Sequence, residues 1–323
     1  MFATMHYELT IIGGGPAGVA AGIYAARKQL KTLFLTKDFG GQSIVSPDIQ
    51  NWIGTISIPG TDFSSMLEKH LRAYAGEFVD IRTEEYVAKI SKKAAFGEPR
   101  FKQSLEREDG FEIATDTTTY TTQTVLITTG SERRKLTIPG AVEFENKGVT
   151  YCASCDGPLF SQKDVVVVGG GNAGFESAAQ LLAYTKSVTL LETSALFKAD
   201  AITVKKVLAH PNMKALTEVT LKEIKGDNFV SAIIYEKEGK EIGLPTEGIF
   251  VEIGLIPTTS FAKDIVELNK YNQIIVDPRT QRTNVLGIWA AGDCTDGLYH
   301  QNNIAAGDAV RALEDIYLYL RAK

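Results

Sequence analysis

Apolar positions along this chain fall into short blocks divided by glycine. Tyr7–Ile12 is an apolar, β-branched run that stops at Gly13-Gly14-Gly15-Pro16-Ala17-Gly18 and resumes as the small-residue stretch Val19–Arg27. Apolar continuity over strand length, then glycines, then small residues predicts strand, turn and helix. A second apolar strand, Thr32–Leu35, follows at the spacing a βαβ unit requires. The same order returns 156 positions later, Gly169 standing where Gly13 stood. Val165–Val168 reads as the strand, Gly169-Gly170-Gly171-Asn172-Ala173-Gly174 as the turn, Phe175–Ala183 as the helix and Val188–Leu191 as the next strand.

Between these units Glu112–Thr129 is rich in threonine and alternates in places, and Phe229–Leu244 alternates ahead of Gly248–Leu255. Such patterning predicts antiparallel meanders added to two doubly wound sheets. Arg133–Gly140 reads as a polar connection and Lys92–Glu108 as a charged surface hairpin. Another strand ends in Ala290-Ala291-Gly292-Asp293, and an Ala-rich helix, Ile304–Leu320, closes the chain. The expected fold is α/β, with two Rossmann-like nucleotide-binding domains of the three-layer ββα type, the second inserted into the first. Residues 1–132 and 251–323 form one domain and 133–250 the other.

A length of 323 residues agrees with two domains, being more than one hydrophobic core usually supports. With 44% hydrophobic and 23% charged residues the chain can build cores of good size. A net charge of -5 with both signs interspersed excludes the continuous basic surface that nucleic acid requires. Apolar runs such as Ile253–Ile256 fall far short of the roughly 20 residues that span a bilayer. Met1–His6 lacks the zones of a signal peptide, so the cytoplasm is the expected compartment.

Each glycine of the two turns has a separate reason. Gly13 and Gly169 permit the tight bend, Gly15 and Gly171 let backbone approach a pyrophosphate, and Gly18 and Gly174 let the helix pack closely on the sheet. Pro16 and Ala17, like Asn172 and Ala173, open the helices whose N-H groups would meet the anion. Glu192 stands at the end of the second copy's next strand, 21 positions past Gly171, where an acid binds the ribose 2'-hydroxyl of NAD. No arginine cluster follows it to receive a 2'-phosphate, so NADH is expected rather than NADPH. In the first copy the matching position is Thr36, which leaves that ligand to be decided by other residues. Gly292-Asp293, followed by Gln301-Asn302-Asn303-Ile304, supplies a carboxylate for a ribityl hydroxyl and a helix N-terminus for the electron-rich side of a flavin. FAD is therefore expected in the first domain.

Three cysteines, two of them in Cys152-Ala153-Ser154-Cys155, do not make a stapled secreted framework. Closing so short a loop braces little, so the pair's expected value is redox chemistry by thiol-disulfide exchange. Asp156 is the nearest proton acceptor and donor, if burial raises its pKa. A zinc site would need a second C-x-x-C or paired histidines, and neither occurs. Cys294 reads as a small buried hydrophobe; His6, His70, His210 and His300 have no metal or triad spacing and receive no role.

Taken together, Gly13–Gly18, Gly40-Gly41-Gln42, Asn51-Trp52, Thr129-Gly130, Cys152–Pro158, Gly169–Gly174 and Gly292-Asp293 resemble the low-molecular-weight thioredoxin reductase family over essentially the whole chain. That resemblance implies a homodimer with noncovalent FAD, with Gly41, Gln42, Asn51, Thr129, Gly130 and Asp293 at the flavin and Asp156 as acid and base beside the cysteines. It also implies a rotation of the inserted domain that presents nicotinamide and the cysteine pair to the flavin in turn. Leu191-Glu192-Thr193 and Phe197-Lys198-Ala199-Asp200 depart from that family and are more similar to the flavoprotein subunit of alkyl hydroperoxide reductase. Since Tyr7 already begins the first unit, the N-terminal thioredoxin-like domain of that subunit is expected to be absent. A separate protein then takes the electrons: a thioredoxin, a glutaredoxin-like protein or a peroxiredoxin. The implied activity is transfer from NADH or NADPH through FAD and Cys152/Cys155 to a protein disulfide. The alternatives are a ferredoxin-dependent flavin thioredoxin reductase, an NADH-dependent reductase of a peroxiredoxin system, an NADH oxidase, or a nonenzymatic redox sensor.

Overall fold

A computed structural model of the chain describes residues 6–46, 48–93 and 110–322. The expected hairpin at Lys92–Glu108 lies almost wholly outside the described residues, as do Met1–Met5 of the N-terminal reading. The chain divides into two compact units: Met1–Ile44, Gly60–Glu132 and Ile256–Lys323 in the first, Val45–Pro59 and Arg133–Leu255 in the second.

The first unit opens with β1 (His6–Ile12), α1 (Pro16–Arg27) and β2 (Thr32–Thr36). These are followed by α2 (Gly60–Ala75), β3 (Val79–Thr83), β4 (Val87–Lys92), β5 (Phe111–Thr115) and β6 (Thr119–Ile127). β1 pairs in parallel with β2 and β6, and β2 with β3. The expectation that Glu112–Thr129 would form only a meander needs correcting. β6 pairs antiparallel with β5 over Thr119–Thr122, yet its last residues, Val125–Ile127, run in the middle of the parallel sheet. All three are fully buried, and an apolar run buried on both faces is the mark of an internal parallel strand. Helix α2 has no counterpart in the sequence reading, although Phe63, Leu67, Leu71 and Ala75 recur every fourth residue and form its buried face.

The chain leaves this unit through β7 (Ser131–Arg133) and builds the second from β8 (Val149–Thr150), α3 (Ala153–Asp156), β9 (Asp164–Val168), α4 (Asn172–Leu181) and β10 (Ser187–Leu191). Then come α5 (Ala201–Leu208), β11 (Met213–Leu216), the antiparallel strands β12 (Thr220–Gly226), β13 (Val230–Lys237) and β14 (Lys240–Pro245), and β15 (Gly248–Val251). The parallel sheet has the order β11-β10-β9-β15-β8, and β12-β13-β14 form a separate sheet. β9 shows why four valines in a row suit this position: Val166 and Val168 join one core, with Ile249, Val251 and Leu191, while Val165 and Val167 join another, with Phe250, Leu190 and Phe175. A two-residue side-chain period places alternate residues on opposite faces of a sheet covered on both sides.

After β16 (Leu255–Pro257) the chain returns to the first unit as β17 (Ile288–Ala290), parallel to β6, and α6 (Asn302–Arg321). α6 packs on α1, and its buried residues include the small Ala305, Ala309 and Ala312. Among the described residues no helix is long and apolar enough to cross a membrane.

Candidate functional site

In the first unit the turn after β1 is tight because Gly13 adopts φ +120°, a region side chains rarely enter. A Cβ on Gly18 would lie 1.8 Å from the Gly13 carbonyl oxygen, so helix and turn can meet this closely only with glycine there. Gly15 is different: a Cβ would meet nothing within 4 Å, and its backbone is extended. It is the N-cap of α1 and gives no side-chain cap, so the first N-H groups of the helix keep their capacity for an outside acceptor. Pro16 and Ala17 form the first turn of that helix.

Several predicted residues gather at the same strand ends. Gly40 N-H donates to Gly14 O at 3.0 Å, and a Cβ on Gly41 would lie 3.5 Å from Gly15 Cα. Gln42 donates through Nε2 to the Ser131 carbonyl and to Ser131 Oγ, while its Oε1 is buried with no hydrogen-bond partner. Ser43 Oγ donates to Asn302 Oδ1 at 2.9 Å, tying this loop to the start of α6, whose N-cap is Gln301. Thr129 Oγ1 donates to Thr258 O at 2.7 Å beside Gly130, which has φ +64°. Gly292, at φ +78°, lies close to Ala305 and Ala17; an added Cβ would sit a tight 3.2 and 3.4 Å from theirs. Asp293 follows, with His300 Nδ1 3.5 Å from its Oδ1. An uncapped helix end, open backbone at Gly15 and an orphaned carbonyl oxygen on Gln42 are features that a bound dinucleotide would satisfy, so these residues fit FAD. Asn51 falls in the segment Val45–Pro59 and groups with the second unit. Cys294 is fully buried, its thiol pushed up to about 11 by burial.

The second unit repeats the turn. Gly169 adopts φ +118°, a Cβ on Gly174 would lie 1.9 Å from the Gly169 carbonyl oxygen, and Gly171 again faces open space as an N-cap without a side-chain bond. Asn172 and Ala173 open α4, and Asn172 Oδ1 accepts from Asp200 N-H at 2.8 Å. Glu192 is 8% exposed and accepts from Gly170 N-H at 2.6 Å and Ser194 N-H at 2.7 Å. Burial pushes its carboxyl up, but the Ser194 and Gly170 N-H bonds outweigh that and hold it below the usual range. It is therefore a fixed negative charge beside the turn.

Cys152 and Cys155 form a disulfide with Cα atoms 5.3 Å apart. Cys152 caps α3, its Sγ accepting from Cys155 N-H at 3.2 Å. Asp156 ends the same helix and is 8% exposed. Its Oδ2 accepts from Thr150 Oγ1, whereas Oδ1 is buried without a partner. Burial raises its pKa, against the opposing pull of the Thr150 hydroxyl and Arg133. Thr150, two places before Cys152, has no sign in the sequence, because one threonine in a two-residue strand has no periodic signature. Nor has Glu252, which follows β15 beside the second glycine turn. Its Oε1 accepts from Ser177 Oγ at 2.7 Å, and burial pushes its carboxyl up to about 7. Among the described residues no group of three or more histidine, cysteine, aspartate or glutamate side chains could hold a metal ion.

Two Rossmann-like units, each with a glycine turn, and a cysteine pair in the second define an oxidoreductase of the two-nucleotide kind. The chain belongs to the pyridine nucleotide-disulphide oxidoreductases, the family matching residues 7–309, whose members bind FAD and a nicotinamide nucleotide. It is 37% identical over 316 residues to a protein of Bacillus subtilis described as NADH dehydrogenase, covering 97% of this chain and 58% of that one. It is 39% identical over 316 residues to a subunit of alkyl hydroperoxide reductase in Staphylococcus aureus strain MRSA252, covering 97% of this chain and 59% of that protein. The chain thus spans little more than half the length of these relatives. Among solved structures, thioredoxin reductase from Streptococcus pyogenes superposes with a TM-score of 0.86 at 30% identity, over 99% of this chain and 100% of the other. Thioredoxin reductase from Giardia duodenalis gives 0.86 at 32%, over 98% and 99%.

Proposed function

We propose that the protein is an NADH-dependent flavoprotein disulfide reductase that uses Cys152 and Cys155 to reduce a disulfide on a protein acceptor. The observation that carries this reading is the cysteine pair on α3 with a buried carboxyl, Asp156, closing the same short helix. In this reading FAD is held in the first unit by Gly13–Gly18, Gly41, Gln42, Thr129, Gly130, Asp293 and the start of α6 at Gln301 and Asn302, and supplies two-electron transfer from nicotinamide to the disulfide. Asn51 is assigned to the flavin on the resemblance alone. Gly169–Gly174 and Glu192 hold the nicotinamide nucleotide. Asp156, whose pKa burial raises, gives a proton to one sulfur of the opened pair and later recovers it.

NADH is preferred because the Glu192 carboxylate is charged, buried and fixed by two backbone N-H groups. A ribose 2'-hydroxyl can donate to it, whereas a 2'-phosphate would meet like charge. The acceptor is a thioredoxin, a glutaredoxin-like protein or a peroxiredoxin; the alkyl hydroperoxide reductase relatives favour a peroxiredoxin disulfide. The deciding experiment is Cys155→Ser. Acceptor reduction falls to background while anaerobic bleaching of the flavin by NADH persists. Survival of acceptor reduction in that variant would overturn the relay, and faster bleaching by NADPH than by NADH would overturn the nucleotide assignment.

A further inference from the structure

We propose that Thr150 is a positioning residue for the disulfide chemistry, its single hydroxyl joining the acid Asp156 to the backbone of Cys152. The hydroxyl donates to Asp156 Oδ2 and accepts from Cys152 N-H at 3.4 Å. Donor and acceptor capacity of one side chain are thus spent on the two groups whose relative placement matters most. Thr150 is 6% exposed and is held by β8, which pairs with β15 at Phe250, so the hydroxyl is anchored in the sheet rather than on a loop. With Oδ2 occupied, the buried and unpartnered Oδ1 is the oxygen left to exchange a proton with sulfur.

The inference rests on the relay reading above. Two electrons entering the Cys152-Cys155 bond break it and leave two sulfur anions. Asp156 passes its proton to one of them, giving a thiol, a thiolate and a carboxylate. In the transfer outward the thiolate attacks the acceptor disulfide, forms a mixed disulfide and expels the acceptor's first sulfur as thiolate. Asp156 then takes back the proton of the remaining thiol, which attacks its neighbour, restores the Cys152-Cys155 bond and expels the acceptor's second sulfur. Both electrons leave with the acceptor, and Asp156 ends as it began. The charged and titratable groups acting on Asp156 are Arg133, which favours its ionised form, and Asp48, which opposes it; both belong to the same unit. Burial is the largest influence and the Thr150 hydroxyl the chief one against it.

The test uses the intact flavoprotein reduced anaerobically with NADH, mixed with a small aromatic disulfide or oxidised thioredoxin as acceptor, and followed from pH 5 to 9. Thr150→Val removes the hydroxyl and keeps the shape. The rising limb of acceptor reduction, set in that reading by ionisation of Asp156, should move about one unit or more toward high pH, so that the rate on the low-pH side of the parent's midpoint falls about tenfold. Thr150→Ser should restore both to within about twofold. An unshifted limb in Thr150→Val, or no restoration by serine, overturns the proposal. If the valine variant fails to fold, Thr150→Ala carries the same expectation and the same refutation. Asp156→Asn separates the two levels: if that variant keeps the parent's limb, the relay reading itself has failed, whatever Thr150 does.

Discussion

The two glycine turns have nearly the same backbone and differ in the side chain that meets it. Gly13 and Gly169 share φ near +120°, and Gly18 and Gly174 press on the carbonyls of Gly13 and Gly169 at 1.8 and 1.9 Å from an added Cβ. The middle glycines part company. A Cβ on Gly14 would meet Thr36 Oγ1 and Asp38 O, whereas one on Gly170 would meet Glu192 Oε2 and Phe197. Thr36 donates its hydroxyl to Asp38 O at 2.5 Å and closes its own turn; Glu192 accepts from the glycine turn and keeps a net charge there. A second contrast lies one strand over, where Gly13 packs on the Thr128 carbonyl and Gly169 on the Glu252 carbonyl. Thr128 Oγ1 donates to Ile12 O at 2.8 Å, a neutral bond, while Glu252 brings an ionisable group to the equivalent place. Backbone geometry suits both turns to a pyrophosphate, and charge at the neighbouring strand ends makes them different.

The harshest way to test the shared part is Gly18→Ala and Gly174→Ala. Each Cβ would lie under 2 Å from a backbone oxygen that cannot rotate away, so each unit should lose about 3 kcal/mol in denaturant unfolding. A loss under about 1 kcal/mol in either would mean that the turns are not equivalent. The next effect belongs to the second unit alone. Glu252, ordinarily near 4.5, is pushed up to about 7 chiefly by burial, with Ser177 and Arg133 pulling it down and Glu176 pushing it up. A raised carboxyl means that the folded state binds the proton more tightly, so this stabilisation is complete below about pH 4.5 and lost as pH climbs through about 7. Thermal unfolding should therefore show Glu252→Gln gaining on the parent between pH 5 and 8, by on the order of 3 kcal/mol, while Thr128→Val shows no such pH dependence. Parallel curves for parent and Glu252→Gln would refute it.

The nucleotide contrast comes next in size. Glu192→Ala removes the acceptor from two backbone N-H groups and, in the proposed reading, from the ribose, and should weaken NADH binding by about 1.5–3 kcal/mol in a calorimetric titration. Thr36→Ala should leave NADH affinity unchanged; equal losses in the two variants would erase the difference between the two turns. The smallest change in stability is expected from Gly15→Ala and Gly171→Ala. Both backbones are extended at φ -74° and -87°, with nothing within 4 Å of an added Cβ, so folding should change by less than about 0.5 kcal/mol. Ligand binding should suffer nonetheless, the first variant purifying with little flavin and the second responding poorly to NADH.

The duplicated strand-turn-helix was legible because glycine spacing and apolar runs are local properties: Gly13–Gly18 and Gly169–Gly174 announce their geometry within six residues. The proposed preference for NADH also has a local sign in Glu192. Other elements escaped for physical reasons. The amphipathic face of α2 was present in Phe63, Leu67, Leu71 and Ala75, but no chemistry drew notice to it. β6 looks like decoration because its threonine-rich start alternates, whereas its place inside the parallel sheet depends on pairing with β1 and β17, which lie far away in sequence.

By itself the sequence determined the class of protein: two glycine turns, a close cysteine pair and an acid beside it are all short-range patterns. Only the tertiary structure decided which side chains complete them. Gln42 meets Ser131 across 89 positions, Ser177 meets Glu252 across 75, and Gly170 meets Glu192 across 22. Parallel sheets join strands that are remote in the chain, so the residues clustered at their ends share no spacing that a linear pattern could display.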